Sequence, residues 1–223
     1  MQKFDTPAAI SAVLRLSAGR VQVIAADRAD TTVEVRPADS SKGRDVKAAE
    51  QTTVEFADGV LRVDAPAAKN QLLGASGAIE VTVQLPAGSG VEAISAAVEF
   101  RGVGRLGELV CEGAHGNVKI DEAASVRLSS SAGDVTVGRL TGPAEIKVQK
   151  GDIRIAEATS GALDLSTQMG NVTVDAAPGV SATLDAGTGY GRVSNSLMNA
   201  EGAKAQLTIH ANTTHGDITA RSL

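Results

Sequence analysis

Three histidines, one cysteine and a pair of regularly spaced aspartates are the side chains of this 223-residue chain best suited to chemistry. His115 and His215 each precede a glycine that marks a repeated unit, and a run of repeats separates them. Held that far apart, they share no metal. His210 is close to His215, but two imidazoles without a third donor make a poor metal site. Cys111 is alone, which excludes an intrachain disulfide and a multi-cysteine centre. It alternates in phase with Leu109 and reads as a buried structural thiol. Asp134 and Asp152 each follow a repeat glycine, with Asn117 and Asn171 at the equivalent positions on either side. Carboxylates one strand spacing apart could share a proton or hold a calcium ion. The same residue types also bond backbone groups in turns, and Lys150 and Arg154 stand beside them to offset charge. A corner ladder of side chains on backbone is the preferred reading.

Two glycine-rich stretches invite comparison with nucleotide loops. Gly102-Val103-Gly104-Arg105-Leu106-Gly107 has the spacing of a dinucleotide fingerprint, whose last glycine must open a helix. Here Glu108-Leu109-Val110-Cys111 continues as an alternating strand, so a bend between strands is expected instead. Gly187-Thr188-Gly189-Tyr190-Gly191 lacks the lysine of a phosphate-binding loop. No nucleophile elbow is present. No catalytic, cofactor-binding or metal-binding residue is therefore assigned, and no cofactor is expected. Enzymatic activity is disfavoured.

Composition narrows the classes further. Phe4, Phe56, Phe100 and Tyr190 are the only aromatic residues, so Val, Ile, Leu and Ala must fill the core. The scarcity also removes the stacking platforms on which single-stranded nucleic acids rest. Net charge is −5 with both signs interspersed, which argues against a nucleic-acid partner. Apolar stretches such as residues 7–14 are too short to span a bilayer, and no membrane insertion is expected. The opening Met1-Gln2-Lys3-Phe4-Asp5 leads into no secretory h-region. A cytoplasmic protein is the expectation.

The elements that hold these residues announce themselves as repeats. Gly116-Asn117-Val118, Gly133-Asp134-Val135, Gly151-Asp152-Ile153, Gly170-Asn171-Val172, Gly191-Arg192-Val193 and Gly216-Asp217-Ile218 open six units. Their glycines are separated by 17, 18, 19, 21 and 25 residues. Each unit alternates apolar and polar residues after the glycine, and each follows a second alternating strand. The upstream pairs are Leu109/Cys111, Val126/Leu128, Ile146/Val148, Leu163/Leu165, Ala182/Leu184 and Leu207/Ile209. One rung is thus strand, glycine corner, strand and polar turn. The glycine suits a corner because positive φ carries no steric penalty there. Stacking predicts a buried column Val118, Val135, Ile153, Val172, Val193, Ile218, with Lys119, Thr136, Arg154 and Thr173 outside. The fold class expected is all-β, a parallel β-solenoid. A right-handed, β-helix-like coil follows from the usual hand of parallel crossovers.

The N-terminal third is less regular. Residues 14–23 repeat the rung once more around Gly19, and residues 32–36 read as a strand. Residues 53–56 and 60–63, joined across Asp58-Gly59, read as a hairpin. A short helix fits 45–51 and another strand fits 79–85. The division expected is an N-terminal β-hairpin cap over 1–90 and a repeat array over 91–223.

Several segments together resemble a bacterial family. They are Phe4-Asp5-Thr6-Pro7, Ser17-Ala18-Gly19-Arg20-Val21-Gln22-Val23, Val33-Glu34-Val35-Arg36-Pro37-Ala38-Asp39, Asp58-Gly59-Val60-Leu61, Arg105-Leu106-Gly107-Glu108 and Thr214-His215-Gly216-Asp217-Ile218-Thr219. The family is that of the putative adhesins of unknown function, common in actinobacteria. The likeness covers nearly the whole chain, and the serial Gly-Asp-Val/Ile units are its most specific part. It implies a β-solenoid and carries over no catalytic residues.

Two functions fit this sequence. The first is a non-catalytic scaffold or interaction protein with a protein partner. It could also self-associate end to end through the rung of Gly216, read as the last and as nearly uncovered. The alternative is an enzyme or a small-ligand binder of unspecified ligand. It would use a groove between the solenoid face and a lid loop at 65–78.

Overall fold

The computed structural model describes residues 1–66, 77–200 and 202–223 and falls into two compact units, 1–116 and 117–223. Residues 67–76 of the proposed lid at 65–78 lie outside the described residues.

The first unit contains β1 (Gln2–Asp5), β2 (Ser11–Ala26), β3 (Asp30–Pro37), α1 (Gly43–Gln51), β4 (Thr53–Ala57), β5 (Val60–Asp64), β6 (Ile79–Pro86) and β7 (Gly90–His115). The anticipated hairpin is β4–β5, antiparallel, turning through Asp58 at φ 51° and Gly59 at φ 74°. Both turn residues take positive φ, as the tightest hairpins require. The helix over 43–51 begins two residues before its expected start. β2 does not lead the sheet in sequence order. Its first half runs parallel between β5 and β7, and its second half parallel between β6 and β7. β3 pairs antiparallel with β6 and with β1. Leu14, Val21, Val23, Leu61, Val81, Val83 and Phe100 fill the space within. Gly102 and Gly107 lie inside continuous β7, as a strand rather than a helix start, and Gly104 bends it at φ 78°.

The second unit contains β8 (Val118–Ala132), β9 (Val135–Leu140), β10 (Ala144–Lys150), β11 (Ile153–Ala158), β12 (Gly161–Met169), β13 (Val172–Ala176), β14 (Ala182–Tyr190), β15 (Val193–Ser196), β16 (Leu207–His215) and β17 (Ile218–Ser222). Its pairings among the described residues are parallel, with a register shift between Ile155 and Ala158 in the β11–β13 pair. One stack runs β8, β10, β12, β16, β14. The other runs β8, β9, β11, β13, β17, β15. The repeat glycines are the corners, and the aliphatic columns form as alternation demands. Val118, Val135, Ile153, Val172 and Ile218 lie one over another, each almost fully buried.

The order of the last two rungs departs from the sequence-order expectation. β16–β17, last in the chain, sits between β12–β13 and β14–β15. The terminal rung is therefore that of Gly191, not that of Gly216. Residues 177–181 step across the inserted rung, two strand spacings or about 10 Å, well within the reach of five residues.

Packing at the corner explains the glycines more fully than backbone freedom does. A Cβ on Gly170 would lie 2.0 Å from the Gly151 carbonyl oxygen, and one on Gly216 would lie 2.0 Å from that of Gly170. Each rung sits too close on its neighbour for any side chain there. The same carbonyls are used by inward threonines: Thr167 donates to Gly151 at 3.0 Å and Thr213 to Gly170 at 2.9 Å. Thr188 donates to Gly216 at 2.9 Å. Buried hydroxyls are thereby satisfied.

Candidate interaction surface

The residues after the corner glycines form a continuous ladder. Asn117 Oδ1 accepts the Asp134 amide at 2.9 Å, and Asp134 Oδ1 accepts the Asp152 amide at 2.9 Å. Asp152 Oδ1 accepts the Asn171 amide at 2.7 Å, and Asn171 Oδ1 accepts that of Asp217 at 2.8 Å. Asp217 Oδ1 accepts the Arg192 amide at 2.9 Å. The carboxylates that could have bound calcium are thus backbone acceptors, as the turn chemistry of Asp and Asn predicts. No cluster of three His, Cys, Asp or Glu that could hold a metal exists among the described residues. Asp134, Asp152, Asp217, Thr136, Thr173 and Arg154 border an open groove of about 450 Å³ on this face.

The remaining sequence candidates fall into place separately. Cys111 is buried, and burial, with the Glu112 charge beside it, pushes its thiol up to about 11. It stays protonated and unreactive at neutral pH. His115 ends β7 in the first unit. His210 faces outward with Nδ1 3.4 Å from Asp185 Oδ2. His215 stacks on Tyr190, ring centroids 5.0 Å apart and planes at 14°.

Asp45 and Asp175 are buried acids that escaped the sequence reading. Asp175 is only 2% exposed, although its alternation points outward. Arg221 grips it at both carboxylate oxygens, at 2.8 and 3.0 Å, and Arg154 approaches at 3.5 Å. This bidentate bond holds the Arg221 guanidinium still more firmly protonated than usual. Asp175 and Arg221 are register partners on β13 and β17, so the pair clamps the C-terminal strand in place. The signal in the sequence was an acid in β13 followed by Ala176 and Ala177, with an arginine at the matching position of another repeat. Only the spatial order of rungs makes them neighbours.

The open end of the second unit is the rung β14–β15. Among the described residues, β14 pairs with β16 alone and β15 with β17 alone. Ile218 is 1% exposed, whereas Val193, its column partner, is 46% exposed. Tyr190 is 73% exposed beside it, and Met169, Met198 and Leu223 are also uncovered. Met198 and Leu223 join the same rungs, through Met198 N–H to Ser222 Oγ and Leu223 N–H to the Ala176 carbonyl. Apart from Met1, the exposed large apolar residues among those described lie in the second unit, and Tyr190 and Val193 are on its open rung. Charge is sparse here, with Asp185 and Arg192 the only ionised groups on β14, its corner and β15.

Stacked parallel rungs with one unpaired, weakly charged end define an all-β repeat protein. Residues 12–222 match the Toastrack DUF4097 family, and the chain belongs to it. A search among curated proteins returns no match. Among solved structures it is similar to a putative cell adhesion protein from Clostridium sporogenes, at 10% identity over 100% of this chain and 98% of that one, with a TM-score of 0.42. A putative adhesin from Bacteroides fragilis aligns at 12% identity over 98% and 95%, with a TM-score of 0.47. A putative lipid binding protein from Parabacteroides distasonis aligns at 11% identity over 97% and 95%, with a TM-score of 0.38.

Proposed function

We propose that this chain is a non-catalytic interaction scaffold, a right-handed solenoid capped by its N-terminal region, that associates end to end through the β14–β15 rung. The observation that carries the reading is the unpaired edge itself. Neither strand has a partner strand on its outer side among the described residues, where the Ala182 N–H bonds the Met198 carbonyl, and Val193 and Tyr190 beside them are exposed. Edge strands are ordinarily guarded by charge. In the first unit, β1 carries Lys3 and Asp5 and β4 carries Glu55, whereas β15 reads Val-Ser-Asn-Ser. A second copy meets no like charge at this strand. The residues that border the groove, by contrast, include ladder members already bonded to backbone, and the groove is open rather than enclosed.

Light scattering over a concentration series tests the proposal. Average mass should rise as concentration approaches the order of 0.1 mM, the range of weak edge contacts, and Val193→Lys should abolish the rise. A wild-type chain that stays monomeric throughout that range overturns it.

A further inference from the structure

The inserted position of β16–β17 leads to a second kind of association. Leu163, Ile209 and Leu184 share one column, and Val172, Ile218 and Val193 share another. The rungs on either side of the insert are therefore in the same register with each other as with it. The slot between them is shaped for one repeat of this kind, and the repeat that fills it is β16–β17. Residues 197–206 join it to β15. The linker adds the Met198 N–H on Ser222 Oγ and the Gln206 carbonyl that accepts the Gly161 N–H, but several contacts holding the insert are made by the repeat itself. They are the Asp217 amide on Asn171, Thr213 on Gly170, the Leu223 amide on Ala176 and Arg221 on Asp175.

We propose that residues 207–223 of one copy fill the slot of a second copy and vice versa, giving a reciprocal exchanged dimer. The interface so made repeats the intrachain one atom for atom. What favours the monomer is then only the linker, which keeps its own repeat near the slot at an effective concentration on the order of millimolar. Buried Leu207, Ile209 and Ile218 keep the insert in place at rest. Exchange therefore needs transient opening of this one element, and Arg221 on Asp175 is the clasp that limits it.

Ala162 and Thr208 are register partners across β12 and β16, at a separation that suits a disulfide between adjacent strands. Full-length chains carrying only Ala162→Cys are mixed with chains carrying only Thr208→Cys, held in urea just below the unfolding transition, returned to buffer and oxidised. Buried Cys111 does not compete. The expected product is a heterodimer joined through residues 162 and 208, its yield following the product of the two concentrations. It should appear roughly tenfold faster or more when both chains also carry Arg221→Ala, which strips a buried carboxylate of its main partner. The double variant in one chain should close its own disulfide. If it closes while the mixture gives no 162–208 link, exchange is overturned; if it fails to close, the inserted position itself is refuted. Should Arg221→Ala not fold, the mixture with intact Arg221 decides. Simple end contact through β14–β15 yields no such link, so the two associations fail independently.

Discussion

Rungs β16–β17 and β14–β15 are adjacent, share one register and derive from the same unit, yet one is core and the other is surface. The inner rung places Ile209, Ala211, Ile218 and Ala220 inward, all buried. The outer rung places Leu184, Ala186, Val193 and Asn195 at the matching positions. Reversing them into chain order would leave Ile209 and Ile218 at the open end. It would also bury the Asn195 amide, whose Oδ1 accepts the Leu197 N–H at 3.0 Å, within an aliphatic column, an arrangement that burial energetics oppose. The polar ladder agrees. Every inner rung of the second unit has Asp or Asn after its glycine, and the outer one has Arg192, whose side chain offers no oxygen to a further rung. Chemistry at each rung, and not its place in the chain, sets its place in the stack.

The strongest way to break this contrast is to truncate the same column in both rungs. Ile218→Ala should lower the free energy of unfolding by about 2–5 kcal/mol, as buried aliphatic truncations do. Val193→Ala, half in solvent, should lower it by less than about 1 kcal/mol. Urea denaturation at constant slope measures both, and equal losses would mean that the outer rung is covered after all. Glycines come next, one at an inner corner and one within strand β14. Gly216→Ala drives a methyl into the Gly170 carbonyl and should destabilise by about 1–3 kcal/mol. Gly187→Ala on the open rung meets only the Asn212 side-chain oxygen, at 3.0 Å, which has room to turn away. Its midpoint should move little. A third pair addresses the ladder. Asp152→Ala leaves the Asn171 amide without its acceptor and should lose about 1 kcal/mol, while Arg192→Ala at the ladder's end should stay within about 0.5 kcal/mol.

Much of this was legible in the residues. Repeat glycines, alternating aliphatics and Asp or Asn after each corner were enough to give parallel rungs, their registers and the backbone-bonded ladder. The β4–β5 hairpin followed from Asp58-Gly59, and buried Cys111 from its phase with Leu109. What sequence order concealed was spatial order. In both units a strand near one chain end is inserted between later or earlier ones: β2 beside β7, and β16–β17 beside β14–β15. A periodic pattern fixes how rungs align but is nearly indifferent to which stacks on which, because all share one register. The exceptions to the pattern held the answer. Arg192 and Asn195 are the two residues that break the repeat, and together they mark the rung that ends it. Asp175 was missed for a related reason, since its partner Arg221 lies 46 residues away and becomes a neighbour only through the insertion.

If those exceptions are what close the stack, restoring the pattern should reopen it. Asn195→Val places an aliphatic side chain at the inward position of the open rung, directly over Ala220. Stability of the single chain should fall by about 1 kcal/mol or less, because the Leu197 N–H loses its Asn195 Oδ1 acceptor at an exposed site and the new methyls gain only partial cover. Association should respond more than folding does. The added apolar surface is buried only when a second copy covers the rung, so the mass seen by light scattering should begin to climb at a lower concentration than in the wild type. A climb that is unchanged, with folding intact, would show that Asn195 does not limit stacking. The closing of the repeat would then rest on Arg192 and the ladder it interrupts.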